Sequence, residues 1–262
     1  MDYKTLILKK FEHIAHVQLN RPETMNAFDL VMVDELHSCF NQLSKDKDIR
    51  VIILSGANQA FCSGGDVTFL QVINSKSQTE IQSFLLELFQ KISIVAKIEK
   101  PVIGALHGFV MGVGFSLALL CDIRLAAMTT KFRPEFPQMG IIPEVGLTHI
   151  LPSLVGLGKA MEMIITGRRF DSVEAERLGI VNKITPDEKI LDEAMALAKK
   201  IAGLPPLAVG MSKTALRRGA AGTLDESIES EASLNAFCYR TQDHKEATTA
   251  FFEKRKPIIR GC

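Results

Sequence analysis

Apolar and polar residues alternate over residues 6–11 and again over 14–19, with a short hairpin connection between. This is the two-residue period of half-buried strands. Asn20-Arg21-Pro22 then breaks the second strand, since proline has no N–H for a ladder. Leu30, Val33, Leu36, Phe40 and Leu43 share one face at helical spacing, which predicts a helix over residues 30–43. Residues 51–54 form a short apolar run, read as a buried strand, and 58–66 (NQAFCSGGD) a glycine-rich loop. One long amphipathic helix is predicted over 79–98, ended by Lys100-Pro101. A strand over 102–106, a glycine turn, a helix from about Val113 and a strand over 123–127 follow. From Leu147 onward the pattern is mostly helical, broken at Gly167, Gly179 and Pro186, with one strand expected at 180–184. The later helices are expected at 190–202, 206–217, 224–239 and 245–254.

Strands and helices thus alternate in the first half and helices fill the last third, which predicts an α/β core with a C-terminal helical segment. Strand–glycine–helix joints after Ile53 and after Leu106 point to repeated β-β-α turns of a superhelix. Residues 101–121 (PVIGALHGFVMGVGFSLALLC) are long and apolar enough to span a bilayer. Four glycines, a central histidine and no basic asymmetry at the flanks favour a buried strand, turn and helix instead.

Composition narrows the class. The chain has 262 residues, with 31 lysines and arginines against 30 aspartates and glutamates, a net charge of +1. That balance excludes nucleic-acid binding driven by bulk charge and an acidic disordered tail. The length fits one large domain whose core needs no disulfide or structural metal. Cys39, Cys62, Cys121, Cys238 and Cys262 are scattered, with no CxxC pair, so free thiols in a reducing compartment are expected and no zinc site. The N-terminal MDYKTLILKKFEH resembles neither a signal nor a transit peptide, and the C-terminal RKPIIRGC is neither a peroxisomal tripeptide nor a CaaX box, so a cytoplasmic location is expected.

Two glycine-bearing joints carry candidate chemistry: Phe61-Cys62-Ser63-Gly64-Gly65-Asp66-Val67, and Gly112-Val113-Gly114 at the start of a helix. Paired backbone N–H groups aimed at one point stabilise negative charge developing on an oxygen, and a helix N-terminus favours an anion. Two tight turns packed on each other are the plain alternative. Neither joint is a phosphate-binding Walker loop or a dinucleotide fingerprint.

The joints sit within a longer series of motifs. Leu19-Asn20-Arg21-Pro22 with Met25-Asn26-Ala27 resembles the LNRP…NA opening of the enoyl-CoA hydratase/isomerase (crotonase) superfamily. Ala60 to Asp66 resembles its F-x-x-G-x-D loop, and Lys100 to Gly108 its KPVIAAVxG strand. Gly112-Val113-Gly114, Leu117-Ala118 and Cys121-Asp122 resemble its GGGxxLAxxCD turn and helix. Met139 to Pro143 resembles LGxxP, and Phe251 to Pro257 resembles F-x-E-K-R-x-P. The blocks occur in order from about Asn20 to Pro257, nearly the whole chain.

The resemblance implies a crotonase-type spiral over residues 1–200 and a C-terminal helical trimerisation segment over 201–262, both in one catalytic unit. It implies self-association as a trimer or dimer of trimers, and an acyl-CoA thioester substrate with no cofactor beyond its coenzyme A. The thioester oxygen would lie between the N–H groups of Gly65 and Val113, which stabilise an enolate. Val113 departs from the usual glycine, which a backbone donor tolerates if its φ stays negative. Ser63, Gly64, Asp66 and Val67 would line the thioester, although Asp66 also reads as a helix cap. Lys254 is a candidate for the CoA phosphates, with Arg21 and Lys100 as weaker ones.

The carboxylates decide the reaction. Of the family's two hydratase glutamates, one position holds Ser116 and the other Phe136. Neither side chain activates water or moves an α-proton. A third position, after the proline of LGxxP, is glutamate in delta3,delta2-enoyl-CoA isomerases and aspartate in dienoyl-CoA and epoxyphenylacetyl-CoA isomerases. Here it is Glu144. One carboxylate suffices for a 1,3-proton shift, with apolar walls such as Phe136 raising its proton affinity and excluding water. Read from the bare sequence, Glu144 is equally a solvated turn residue or a charge at a helix N-terminus. A one-residue bulge would bring Glu135 to the second hydratase position; Arg133 and Glu135 read otherwise as an ion pair. Ser116 is a candidate hydrogen-bond partner of the acyl group. His107 reads as a satisfied core histidine, and Cys62 lacks the partners of a nucleophile. The alternatives to an isomerase are a hydratase, another enolate chemistry such as decarboxylation or dehalogenation, and a CoA-binding scaffold without turnover.

Overall fold

The computed structural model describes residues 2–262, the Leu70 side chain excepted. The chain opens with β1 (Leu6–Phe11) and β2 (Ile14–Leu19), antiparallel partners, and α1 (Leu30–Lys45). Then come β3 (Val51–Gly56), α2 (Thr68–Asn74), α3 (Gln78–Ile92) and α4 (Ile94–Lys97). The middle holds β4 (Val102–Leu106), β5 (Phe109–Met111), α5 (Val113–Leu120), β6 (Ile123–Ala127) and β7 (Lys131–Arg133). Beyond it lie α6 (Leu147–Val155), α7 (Leu157–Thr166), β8 (Phe170–Asp171), α8 (Ser172–Arg177) and β9 (Lys183–Thr185). The chain ends with α9 (Ile190–Ala202), α10 (Pro206–Gly219), α11 (Leu224–Cys238) and α12 (Gln242–Phe252).

The strands form two sheets. One has the order β1-β2-β3-β4-β6-β9, parallel from β2 onward; the other is β5-β7-β8. Cys62 pairs in parallel with Val110 of β5 and so extends the small sheet by one position. Three successive passes therefore have one plan. β3, β4 and β6 enter the large sheet; Cys62, β5 and β7 then enter the small one; a helix closes each turn. This is the expected β-β-α spiral.

Side-chain alternation along buried strands builds a core on each face of the large sheet. Ile52, Leu54, Val102 and Leu106 pack with Leu36 and Phe40 of α1 and Phe115 of α5. Ile53, Ile103, Ala105 and Leu125 pack with Ala194, Ala198 and Ala202 of α9. Phe115, Phe132 and Phe170 meet beneath α5, with ring centroids 5.2–6.2 Å apart. The later helices are tied back by polar contacts. Lys213 and Arg217 of α10 grip the Asp122 carboxylate at 2.7 and 2.8 Å, and Arg260 and Gly261 donate N–H bonds to Asp243 at 2.8 Å.

Several boundaries differ from the sequence expectation. The helix expected over 79–98 is two, α3 and α4, which meet at Ser93, whose hydroxyl bonds Gln90 O. The strand expected at 180–184 starts only at Lys183, since the N–H groups of Ile180 and Val181 both bond Ala175 O. β5 and β7 were not expected as strands; three residues each are too short to show a period. The apolar stretch 101–121 is β4, β5 and α5, and no helix among the described residues is long and apolar enough to cross a membrane.

Candidate active site

The loop after β3 is held by the segment that follows β2. Asn26 is fully buried, and its amide donates to Ala57 O and Ala60 O at 2.9 and 2.7 Å, while its oxygen accepts from Arg21 N–H. Met25 O accepts from Ser63 N–H at 3.0 Å, and Gly64 O from Phe28 N–H at 2.8 Å. Phe28 O accepts from Asp66 N–H at 2.7 Å. Arg21 is turned inward. Its guanidinium contacts Asp66 at 2.8 Å, Ala27 O at 2.7 Å and Asp29 at 3.3 Å. Arg21 is thus engaged by the loop, and Lys100 is bound to the carbonyls of Leu43 and Asp46. The Thr68 N–H, together with Arg21, holds the Asp66 carboxyl below its ordinary range. Asp66 therefore caps the start of α2 and anchors the loop.

The second joint lies directly against the first. Met111 N–H donates to Cys62 O at 3.0 Å and Cys62 N–H to Phe109 O at 3.1 Å. Two left-handed glycines let the backbones touch: Gly64 has φ +119° and Gly112 φ +50°, and a Cβ on Gly112 would stand 3.6 Å from Gly64 Cα. Gly114 is tighter still, since a Cβ there would fall 2.5 Å from Cys62 O. Val113 keeps a negative φ, so its side chain fits a turn where glycine is usual. Among the described residues, neither Gly65 N–H nor Val113 N–H has an acceptor. Two adjacent unpaired donors, one at the N-terminus of α5, can hold an oxyanion.

Glu144 occupies the turn before α6. Val145 and Gly146 both have left-handed φ, +55° and +79°. Such a φ is an outlier for a β-branched residue. Val145 is buried in the main core, and α6, which follows Glu144, packs against α5, the helix that opens at Val113. The carboxyl is half-buried and, among the described residues, has no hydrogen-bond or ionic partner. Burial alone pushes it up to about 7. This differs from both a solvated turn glutamate and a helix-capping charge, which keep an ordinary or lowered value.

Glu135 is paired with Arg133 at 2.8 Å. Ser116 is buried, its hydroxyl without a partner among the described residues, and Phe136 is buried in the core. Ser63 bonds Thr24 O through its hydroxyl, Val67 is exposed beside the loop, and Gly65 is open. Lys254 is exposed just beyond α12, and its side chain has no tie to the loop. Cys62 is inert, its thiol pushed up to about 12 by burial. His107 lies one residue past β4, not within it, and only one ring nitrogen is satisfied, Nε2 against Asn58 O at 3.1 Å. Asn26, Phe28 and Asp29 had no role in the sequence reading. Asn26 lies inside the segment that resembles LNRP…NA, but its burial depends on the distant loop after β3 and has no local signature.

Residues 9–261 match the enoyl-CoA hydratase/isomerase family. The chain belongs to that family. It is 35% identical over 257 residues to a crotonyl-CoA hydratase of Syntrophomonas wolfei, covering 98% of each chain. It is 32% identical over 244 residues to the 1,2-epoxyphenylacetyl-CoA isomerase of Escherichia coli K12, covering 93% of each. The crystal structure of an enoyl-CoA hydratase from Bacillus anthracis superposes with a TM-score of 0.93 at 30% identity, covering 99% of this chain and 100% of the other. Membership makes this an acyl-CoA enzyme of the crotonase fold.

Proposed function

We propose that the protein is an acyl-CoA double-bond isomerase that converts 3-enoyl-CoA to 2-enoyl-CoA. The carrying observation is the half-buried Glu144 carboxyl, raised to about 7 by burial; the family resemblance adds that Ser116 and Phe136 occupy the positions of the hydratase acids. The ionised carboxylate removes the C2 proton. The electron pair spreads onto the thioester oxygen, held by the N–H groups of Gly65 and Val113. The carboxylic acid then returns the proton at C4, so the double bond moves and nothing is added. A value near 7 suits a group that must take and give one proton at neutral pH. Coenzyme A belongs to the substrate in this reading, and no other cofactor is needed.

Self-association as a trimer or dimer of trimers is part of the proposal. It is supported by the apolar side chains that α11 and α12 expose, among them Ile228, Phe237, Phe251 and Phe252. A cytoplasmic site of action fits the five free cysteines.

Incubation of 3-enoyl- and 2-enoyl-CoA in deuterated water, followed by mass and ultraviolet spectra, tests the reading. The expected result is isomerisation by the wild type without gain of water mass, abolished in Glu144→Gln. Hydration of 2-enoyl-CoA that survives the substitution contradicts it and favours the second reading, a hydratase, which the relative from S. wolfei supports by name. That reading requires Glu135 to leave Arg133.

A further inference from the structure

Residues 144–147 close a β-turn, since Leu147 N–H donates to Glu144 O at 3.1 Å. Both central residues are left-handed, Val145 with φ +55° and Gly146 with φ +79°, which is the type I′ form. Glycine, asparagine and aspartate dominate both central places of such turns. Gly146 follows that rule and Val145 breaks it. A left-handed backbone crowds the Cβ, and a β-branched side chain suffers most. Strained residues persist only where their surroundings over-determine them, and they cluster at active sites. What holds Val145 is its own side chain, which is 4% exposed and belongs to the main core, as does Leu147 at 1%. Gly146 between them is exposed, and a Cβ there would meet nothing within 4 Å. Two buried anchors thus hold the turn on the core. Glu144 is the residue before the first anchor, and Ile142, two residues earlier, is 77% exposed. The chain therefore passes from solvent to core across Glu144, and Val145 is where it is first pinned.

We propose that Val145 is a positioning residue for the proton transfer: its buried isopropyl group draws the strained turn onto the core and so holds the Glu144 carboxyl half out of water. The inference rests on the reading that Glu144 is the acid–base group. It assigns the cost of a left-handed valine to catalysis and not to the fold. Glycine would form the same turn without strain, but with no side chain to sink into the core. The Glu144 carboxyl would then follow the loosened turn into water. Its raised proton affinity has burial as its whole cause, so it would return toward the ordinary carboxylate range.

The test follows the infrared carboxyl band of Glu144 with pH in wild type, Val145→Gly and Val145→Ala, each assigned by difference from the same protein carrying Glu144→Gln. The wild-type midpoint is expected near 7, and both variants are expected to titrate at least about one pH unit lower. In both, kcat for isomerisation should fall on the order of 10–100-fold, while calorimetric affinity for butyryl-CoA stays within about twofold. Glycine suits the left-handed backbone and alanine does not. A shift in Val145→Gly alone therefore overturns the proposal, by tracing the effect to backbone freedom and not to the lost anchor. A midpoint unchanged in both variants also overturns it, whatever their melting temperatures, and leaves Glu144 as the acid–base group. A wild-type midpoint near 4.5 overturns the Glu144 reading, and this inference with it.

Discussion

The oxyanion joints are held by backbone on every side, whereas Glu144 hangs on a turn with two consecutive left-handed residues and, among the described residues, no partner for its side chain. Around Gly64 and Gly112 the ladder, Asn26 and the Arg21–Asp66 pair fix each peptide plane. Around Glu144 the turn is fixed by the buried Val145 and by Leu147 N–H, which donates to Glu144 O at 3.1 Å. The difference follows from the two tasks. An oxyanion donor acts by preorganisation, so its orientation must not relax. An acid–base group acts through a proton affinity that burial sets and hydrogen bonds would lower.

The largest expected effect is on the loose half. Glu144→Gln should lower kcat for isomerisation by about 10²–10⁴-fold, the range general acid–base catalysis contributes, with acyl-CoA binding retained. Steady-state kinetics together with calorimetric binding check it.

The rigid half is broken by one methyl group. Gly114→Ala drives a Cβ against Cys62, 2.5 Å from its backbone O and 2.7 and 2.8 Å from its Cβ and Sγ. A loss of about 1–3 kcal/mol in denaturant stability is expected, together with a fall in kcat as Val113 N–H is displaced. Gly65→Ala is the contrast. Its nearest neighbour would be the Phe69 ring at 3.8 Å, so stability should move by no more than about 0.5 kcal/mol.

Glu144 also predicts two pH dependences of opposite use. The base must be ionised, so kcat/KM should rise with pH through a midpoint near 7. The same raised value works against the fold. Between about 4.5, the unperturbed value, and about 7 the unfolded chain ionises this group while the folded one keeps the proton, so stability falls as pH rises. Glu144→Gln should therefore gain on the order of 1–3 kcal/mol over wild type above pH 7, a gain that vanishes below the unperturbed value. Thermal melts across pH measure it.

The smallest effect concerns the rival carboxylate. The Arg133–Glu135 pair is partly exposed, so Glu135→Gln should cost at most about 1 kcal/mol and leave isomerisation unchanged. A large loss of activity would move the acid–base role to Glu135.

The parts legible in the sequence were those with a local signature. Strand alternation, the helical face of α1 and the two glycine joints each follow from neighbours in sequence, and the spiral follows from their order. Whatever depends on distant partners was not legible. β5 and β7 exist because Cys62 and each other offer ladders, not because three residues form a period. Arg21 reads as a free cation until Asp66, 45 positions later, folds against it. The same holds for Glu144, whose position in the chain suggested a base but whose burial, and hence its affinity for the proton, is set by tertiary packing.

Direct titration of the Glu144 carboxyl tests the central claim most closely. The infrared carboxyl band, followed with pH and assigned by its loss in Glu144→Gln, should show a midpoint near 7. A midpoint near 4.5, the ordinary value, would mean a solvated glutamate and would contradict the single-carboxylate account.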